Sequence, residues 1–193
     1  MSKSARTRSR IQSTAIALFT AQGYDATTVD QIAATAGVSQ MTFFRHFPTK
    51  DAVLLDDPYD PVIAACVARQ PCSHSALERA CDGLAQAWRT VPEADLGDVR
   101  TRMRIVTSHP RLRARMWETN LVTQRAITDA LRASGAGRLE AEVAAGACMG
   151  ALSAALTDWA ESGTGTLGER ITFALTALVP GAGRITAHAS VTP

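Results

Sequence analysis

Several features are missing from this 193-residue sequence, and each absence excludes a class of protein. No run of about 18 apolar residues occurs, so we expect no membrane-spanning helix. The N-terminus is basic but lacks the apolar core of a signal peptide, so we expect a cytoplasmic protein. No C-x-x-C pair, P-loop, G-x-S-x-G, H-E-x-x-H or G-x-G-x-x-G motif is present. We therefore predict a protein that is not an enzyme and that carries neither a metal nor a cofactor.

The cysteines and histidines form no recognisable ligand set. Cys66, Cys72, His74 and Cys81 are close in sequence, but their spacing fits no zinc-binding pattern. In a reducing cytosol we expect the cysteines, including Cys148, to be small buried hydrophobic residues. A thiol redox sensor is the alternative, and it requires surroundings that lower the pKa of a thiol, which a sequence does not reveal.

What the sequence does contain is a helical pattern throughout. No stretch shows sustained alternation of apolar and polar residues, and 46% of the residues are hydrophobic against 20% charged. We predict an all-α fold with a three-helix head (residues 1–50), a helical body (51–180) and a disordered tail (181–193). The prolines of the segment DDPYDP, residues 56–61, are predicted to break a helix between head and body.

Residues 27–50 predict two short helices joined by a glycine turn. Thr28 and Ser39 each occupy an expected N-cap, and Gly37 stands where a helix ends at positive φ. The apolar residues of this segment have helical spacing and should face the core: Val29, Ile32, Ala33, Ala36, Phe43 and Phe47. Two helices of about seven residues around a tight turn predict a helix-turn-helix, whose second helix presents side chains to the major groove of DNA.

The charge distribution favours a head that binds nucleic acid. The whole chain has a net charge of +2, but residues 1–50 hold six Lys/Arg against two Asp, and the remainder is net negative. A positive small domain beside a near-neutral larger one indicates contact with the DNA backbone. The alternative for the basic N-terminal arm is a tail that only aids solubility.

The first 55 residues resemble the DNA-binding domain of TetR/AcrR-type transcriptional regulators in motif order and spacing. The matching segments are A-T-T-V-D-Q-I-A, A-G-V-S, T-F-F-R-H-F and P-T-K-D-A-V-L. One departure is Phe44, where the family most often has tyrosine. A hydroxyl that could bind a phosphate is therefore missing, although the ring can pack on a thymine methyl group. The resemblance implies a homodimer that binds a double-stranded DNA operator.

Nine residues of the head are expected at the DNA: Thr28, Ser39, Gln40, Met41, Thr42, Phe44, Arg45, His46 and Lys50. Thr28 and Lys50 are expected at phosphates. Gln40, Thr42 and Phe44 are expected at base edges, and Arg45 can serve either purpose.

The last two predicted helices, residues 138–161 and 168–179, are strongly apolar, and small side chains crowd the first of them. One interpretation is an internal core. The other is a dimer interface in which two helices of each subunit form a four-helix bundle. The resemblance implies the second, with Gly146, Gly150, Ala154 and Leu175 at the interface.

The middle helices carry large side chains that can line an apolar pocket. The candidates are Trp88, Met103, Arg104, Trp117 and Leu121, and ordinary core is the alternative. The resemblance implies a ligand cavity whose filling moves the two heads apart. A looser resemblance of the DDPYDP turn to actinobacterial regulators adds an acyl thioester to the candidate effectors. Six arginines between residues 100 and 115 could hold an acidic ligand or could form a solvated helix face.

Together with these patterns, the resemblance implies a ligand-responsive repressor that binds a palindromic operator as a homodimer and is released by a small-molecule effector. The alternative is an effector-independent DNA-binding architectural or activator protein, in which the body serves only for dimerisation.

Overall fold

A computed structural model of the chain describes residues 2–56, 60–90 and 96–179. Over those ranges the chain forms helices and no strand, so the all-α prediction is confirmed. The helices are α1 (Lys3–Gln22), α2 (Val29–Thr35), α3 (Gln40–His46), α4 (Ala52–Leu55), α5 (Asp60–Ala68), α6 (Ala76–Trp88), α7 (Leu96–Ser108), α8 (Pro110–Ala133), α9 (Arg138–Ser162) and α10 (Leu167–Leu178).

The helix-turn-helix predicted from residues 27–50 is confirmed by α2 and α3. The hydroxyl of Thr28 accepts the backbone N–H of Gln31, whose side chain bonds back to the backbone N–H of Thr28. Ser39 caps α3 by accepting the N–H of Thr42 at 3.2 Å. Between the helices Gly37 has a φ of 64°, a conformation that glycine adopts without strain.

The N-terminal arm is part of α1 and is not a separate segment. Ser2 caps the helix by accepting the N–H of Ala5 at 3.1 Å, and the basic residues follow within its first turns. The predicted break in DDPYDP lies partly at residues 57–59, outside the described residues, and α4 ends at Leu55 just before it. The predicted tail, 181–193, also lies outside the described residues.

The chain divides into two compact units. The first comprises Met1–Asp56 and Ala94–Trp117, and the second comprises Asp57–Glu93 and Glu118–Pro193. Helix α7 and the first two turns of α8 therefore belong to the same unit as the helix-turn-helix. The sequence pattern had assigned all residues after 50 to the body, and the compact units cross that boundary.

Apolar side chains from both parts of the first unit form its core. Phe43 and Phe47 are fully buried, as their spacing predicts, and they pack with residues of α1, α2 and α4. Val106 of α7 and Leu112 of α8 are also fully buried in this cluster. By fixing one face of α3 inward, this core holds the opposite face of that helix at the surface.

The second unit is built around α9, which packs against α6 and α10. Helix α9 is long and apolar enough, by length and composition, to cross a membrane. A helix in a protein core meets the same criterion, and Ala145, Cys148 and Trp159 of α9 are buried within this unit.

Three of the four cysteines are buried, as expected, and Cys72 is exposed. Within the second unit the Sγ atoms of Cys81 and Cys148 lie 3.5 Å apart. The hydrogen bond with Cys81 and burial both raise the pKa of the Cys148 thiol, so it stays protonated at neutral pH.

Candidate nucleic-acid interface

Helix α3 presents a mixed polar and apolar face to solvent. Met41 is 80% exposed and Phe44 is 48% exposed, while Phe43 between them is fully buried. Gln40 and Arg45 are also exposed. Large apolar side chains seldom stand so far into water without a partner surface, so this face is suited to binding.

The N-terminus of α3 is fixed by two hydroxyl groups. The hydroxyl oxygens of Ser39 and Thr42 lie 3.0 Å apart, and Ser39 also accepts the backbone N–H of Thr42. The Ser39 hydroxyl therefore caps the helix and also contacts the hydroxyl of the half-buried Thr42, which projects from the first turn. Such caps set the helix start and with it the direction of the following side chains.

Gln40, the first residue of α3, is tied to α2. Its Nε2 atom donates a hydrogen bond to Oδ1 of Asp30, which lies in the first turn of α2. Both residues are exposed, so this bond joins the two helices at their outer surface. Sequence reasoning missed Asp30, because no pattern within α2 shows that its carboxylate reaches the next helix.

Lys50 is anchored within the head. Its ammonium group donates to the carbonyl oxygens of Tyr24 at 2.9 Å and Thr27 at 3.0 Å, and lies 4.1 Å from the centre of the Tyr24 ring. These bonds place the positive charge next to Thr28, the N-cap of α2. The lysine thus fixes the loop that precedes α2 in addition to carrying a charge.

Arg8 of α1 holds the C-terminal end of α3. It donates to the His46 carbonyl at 2.6 Å, pairs with the carboxylate of Asp56, and stacks 4.2 Å from the centre of the Phe47 ring. Burial, Arg45 and Arg8 together lower the pKa of His46 below its usual 6.5. His46 is therefore neutral at pH 7 and can either donate or accept a hydrogen bond.

The arginine cluster of residues 100–115 belongs to this unit. The guanidinium of Arg102 donates to the Leu54 carbonyl at 3.1 Å, and Arg115 lies 3.9 Å from the carboxylate of Asp51. With these arginines the first unit holds twelve Lys/Arg and six Asp/Glu, a net charge of +6, and the second unit carries −4. The difference in net charge between the two compact units is thus larger than the difference between residues 1–50 and the rest of the chain.

The predicted ligand-binding residues are divided between the two compact units. Trp117 is 60% exposed and Leu121 is 45% exposed in the single chain. Arg104 is exposed, and Trp88 and Met103 are half-buried in different units. Trp117 and Leu121 lie on the solvent side of α8.

Helices α9 and α10 form an open groove of about 870 Å³ in the second unit. Small residues line much of it, including the predicted interface residues Gly146, Gly150 and Ala154, and Phe173 stands beside them 77% exposed. Leu175, which was also predicted at the interface, is fully buried within the chain. On α10 the residue two positions earlier, Phe173, points outward instead.

Two family models match separate parts of the chain. Residues 11–56 match the family model of bacterial regulatory proteins of the tetR family. Residues 75–183 match the model of the MftR C-terminal domain. The second match alone covers more than half of the chain.

Two sequence relatives and one solved structure show the same likeness. The HTH-type transcriptional regulator TcmR of Streptomyces glaucescens is 38% identical over 97 residues, which cover 49% of this chain and 39% of TcmR. MftR of Mycobacterium tuberculosis is 31% identical over 106 residues, covering 54% of this chain and 53% of MftR. The chain thus spans about half or less of these relatives' length. A complex of SmeT, the repressor of a Stenotrophomonas maltophilia efflux pump, with triclosan has a TM-score of 0.59 at 18% identity, covering 94% of this chain and 97% of SmeT.

Proposed function

Because the chain belongs to the TetR family of bacterial regulatory proteins, we propose that it is a ligand-responsive repressor that binds a palindromic operator as a homodimer. The family consists of transcriptional regulators and not of enzymes. The observation that carries the proposal is the exposed face of α3, fixed outward by the burial of Phe43 and Phe47. Like other regulators of the family, the protein is proposed to act in the cytoplasm.

Each head contributes two kinds of DNA contact. Thr28, Ser39 and Lys50 lie at the start of α2, α3 and α4 and are assigned to phosphates. Residues on the outer face of α3 are assigned to the major groove: Gln40, Met41, Thr42, Phe44, Arg45 and His46. The net charge of +6 on the first unit supports binding to the DNA backbone.

Selection of duplexes from a random library by the full chain tests this assignment. We expect an enriched site with two-fold symmetry, whose half-sites are separated by about 34–36 Å or a multiple of it, because a symmetric dimer places one α3 in each major groove. A pool that stays random after repeated selection would refute sequence-specific DNA binding.

The homodimer is assigned to the outer face of α9 and α10. Gly146, Gly150 and Ala154 allow another helix to approach closely, and the exposed ring of Phe173 can fill the groove of a second copy. Leu139 and Val143, 72% and 61% exposed, continue this apolar face toward the start of α9. Apolar and small side chains thus follow one another along this face from Leu139 to Ala154, which suits a core of an interface between two copies.

A charge placed in this groove tests the interface. Gly150→Arg should give monomers in sedimentation and abolish operator binding, since an unpaired buried charge costs several kcal/mol. Ala65→Arg is the matched control, because Ala65 is an exposed alanine on α5 of the same unit. A Gly150→Arg protein that stays dimeric would place the interface elsewhere.

The effector is assigned to the apolar compounds, including acyl thioesters. The candidate contacts are Trp88, Met103, Trp117 and Leu121, and Arg104 is a candidate for an acidic group. A compound that lowers the affinity for DNA by a given factor must itself bind the DNA-bound dimer more weakly than the free dimer by that factor, which is typically about 5- to 150-fold. Titrating fatty-acyl thioesters and apolar aromatic compounds into the free and DNA-bound protein tests this relation.

The exposure of Trp117 and Leu121 favours a second candidate function. If no compound of these classes changes operator affinity, the protein is an effector-independent architectural or activator protein, and its body serves for dimerisation only.

A further inference from the structure

We infer that Asp30 is a positioning residue that makes Gln40 select adenine, by fixing the orientation of the Gln40 amide. The inference rests on the proposed function, in which Gln40 contacts a base edge. In the proposed function, the residues that determine sequence preference all lie on the outer face of α3. The inference adds to them a residue of α2.

The contact between the two side chains has one chemically allowed direction. An ionised carboxylate only accepts hydrogen bonds, whereas an amide group can present either N–H or C=O. Beside Asp30, Gln40 must therefore turn its NH₂ group toward the carboxylate, and Nε2 does donate to Oδ1 of Asp30. One hydrogen of the NH₂ group is used in this bond.

The remaining groups of the amide then form an ordered pair. The Oε1 acceptor and the second N–H point away from Asp30, side by side. This pair matches adenine, which presents an N6 donor and an N7 acceptor in the major groove. Guanine presents two acceptors, O6 and N7, so Oε1 held in this orientation would face O6, acceptor against acceptor. Turning the amide to bring an N–H to O6 would place its oxygen against the Asp30 carboxylate. The carboxylate disfavours that arrangement.

The negative charge of Asp30 has a separate effect that must be controlled. A carboxylate at the DNA surface repels phosphates of every sequence alike, so removing it should raise affinity for all duplexes. The quantity that reports amide orientation is therefore the ratio of affinities for two duplexes that differ by one base pair, because uniform repulsion cancels in that ratio.

The experiment compares wild type, Asp30→Asn and Asp25→Asn on duplexes that carry adenine or guanine at the position where Gln40→Ala loses preference. Asp25 is a matched control, because it is an exposed aspartate of the same unit with the same charge. We expect wild type and Asp25→Asn to prefer adenine by about 5- to 150-fold, the discrimination of one bidentate pair. The amide introduced by Asp30→Asn can donate to Oε1 of Gln40, so the preference should fall to about threefold or less in that variant.

A double variant distinguishes an effect of Asp30 on the orientation of the Gln40 amide from an effect of Asp30 on the structure of the head. In the Gln40→Ala background, Asp30→Asn should leave the adenine-to-guanine ratio unchanged, since no amide remains to be oriented. Two results would overturn the inference: a ratio in Asp30→Asn equal to that of Asp25→Asn, or an equal shift by Asp30→Asn with and without Gln40. If wild type selects no sequence at all, the proposed function itself fails, and that outcome is distinct from both.

Discussion

The ammonium group of Lys50 lies 4.1 Å above the ring of Tyr24 and donates to the backbone carbonyl of the same residue. Together with its bond to the Thr27 carbonyl, this contact joins the start of α4 to the loop that precedes α2. Lys50 thus carries a positive charge at the proposed DNA surface and also stabilises the fold of the head through its hydrogen bonds.

Lys50→Ala should therefore weaken DNA binding and destabilise the fold together. We expect a loss of about 1–3 kcal/mol in the free energy of unfolding, because two carbonyl groups lose a charged donor. Affinity should fall equally for selected and random duplexes, since Lys50 touches no base in this account. Urea unfolding and titration on both duplexes measure these effects, and a change in the ratio of the two affinities would contradict the assignment.

Tyr24 should make folding stability depend on alkaline pH. Burial, and next the hydrogen bond and negative charge of Asp51, raise the pKa of the Tyr24 phenol above its usual 10. A raised pKa means that the folded state favours the protonated phenol. The stabilisation is therefore present below pH 10 and is lost as the pH rises above 10.

Tyr24→Phe isolates this effect. The difference in unfolding free energy between wild type and Tyr24→Phe should be constant below about pH 9 and should shrink as the pH rises past about 10. Urea unfolding at several pH values measures it. A difference that stays constant up to about pH 11 would show that the phenol is not perturbed.

Gly83 should tolerate no side chain. A Cβ atom at this position would lie 2.5 Å from Cγ2 and 2.7 Å from Cα of Val67, where α5 and α6 pack closely. We expect Gly83→Ala to cost about 1–3 kcal/mol through overpacking. Because a backbone atom causes part of the clash, adding Val67→Ala should not restore stability. Recovery of the wild-type melting temperature in the double variant would refute a backbone contact.

Arg111 should contribute to DNA binding although it lies far outside the helix-turn-helix in sequence. It is exposed on the first turn of α8, within the first unit, and its charge acts on the Tyr24 phenol. Arg111→Ala should lower the salt dependence of binding for all duplexes. The exposed Arg132 of α8 lies in the acidic second unit, so Arg132→Ala should leave it unchanged. If the salt dependence of binding is equal in the two variants, membership of the first unit does not decide which arginines contribute to DNA binding.

Local chemistry explains why the helix-turn-helix could be predicted from sequence. The caps Thr28 and Ser39, the glycine turn and the apolar spacing of Phe43 and Phe47 are all determined within a few residues, and each is found as expected. The contact from Asp30 to Gln40 was not predictable, because it joins two helices whose angle is set by packing.

Long-range packing decides what the sequence pattern leaves open. Helical spacing identifies an apolar face but does not say whether that face meets the core or solvent. Trp117 and Leu121 lie on a face of α8 that is exposed, and Leu175 lies on the face of α10 that is buried. The arginines of residues 100–115 join the head because Val106 and Leu112 pack into its core, against residues that are distant in sequence.

The most direct test of the proposed function is the DNA-binding specificity of a variant in which the three side chains of α3 expected at base edges are truncated. The variant Gln40→Ala, Thr42→Ala, Phe44→Ala leaves Phe43 and Phe47 in the core and every Lys and Arg in place. We expect its affinity for random duplex, and the salt dependence of that binding, to stay close to wild type, while the preference for the selected site falls to about one. A variant that keeps the wild-type preference would show that another surface reads the DNA sequence.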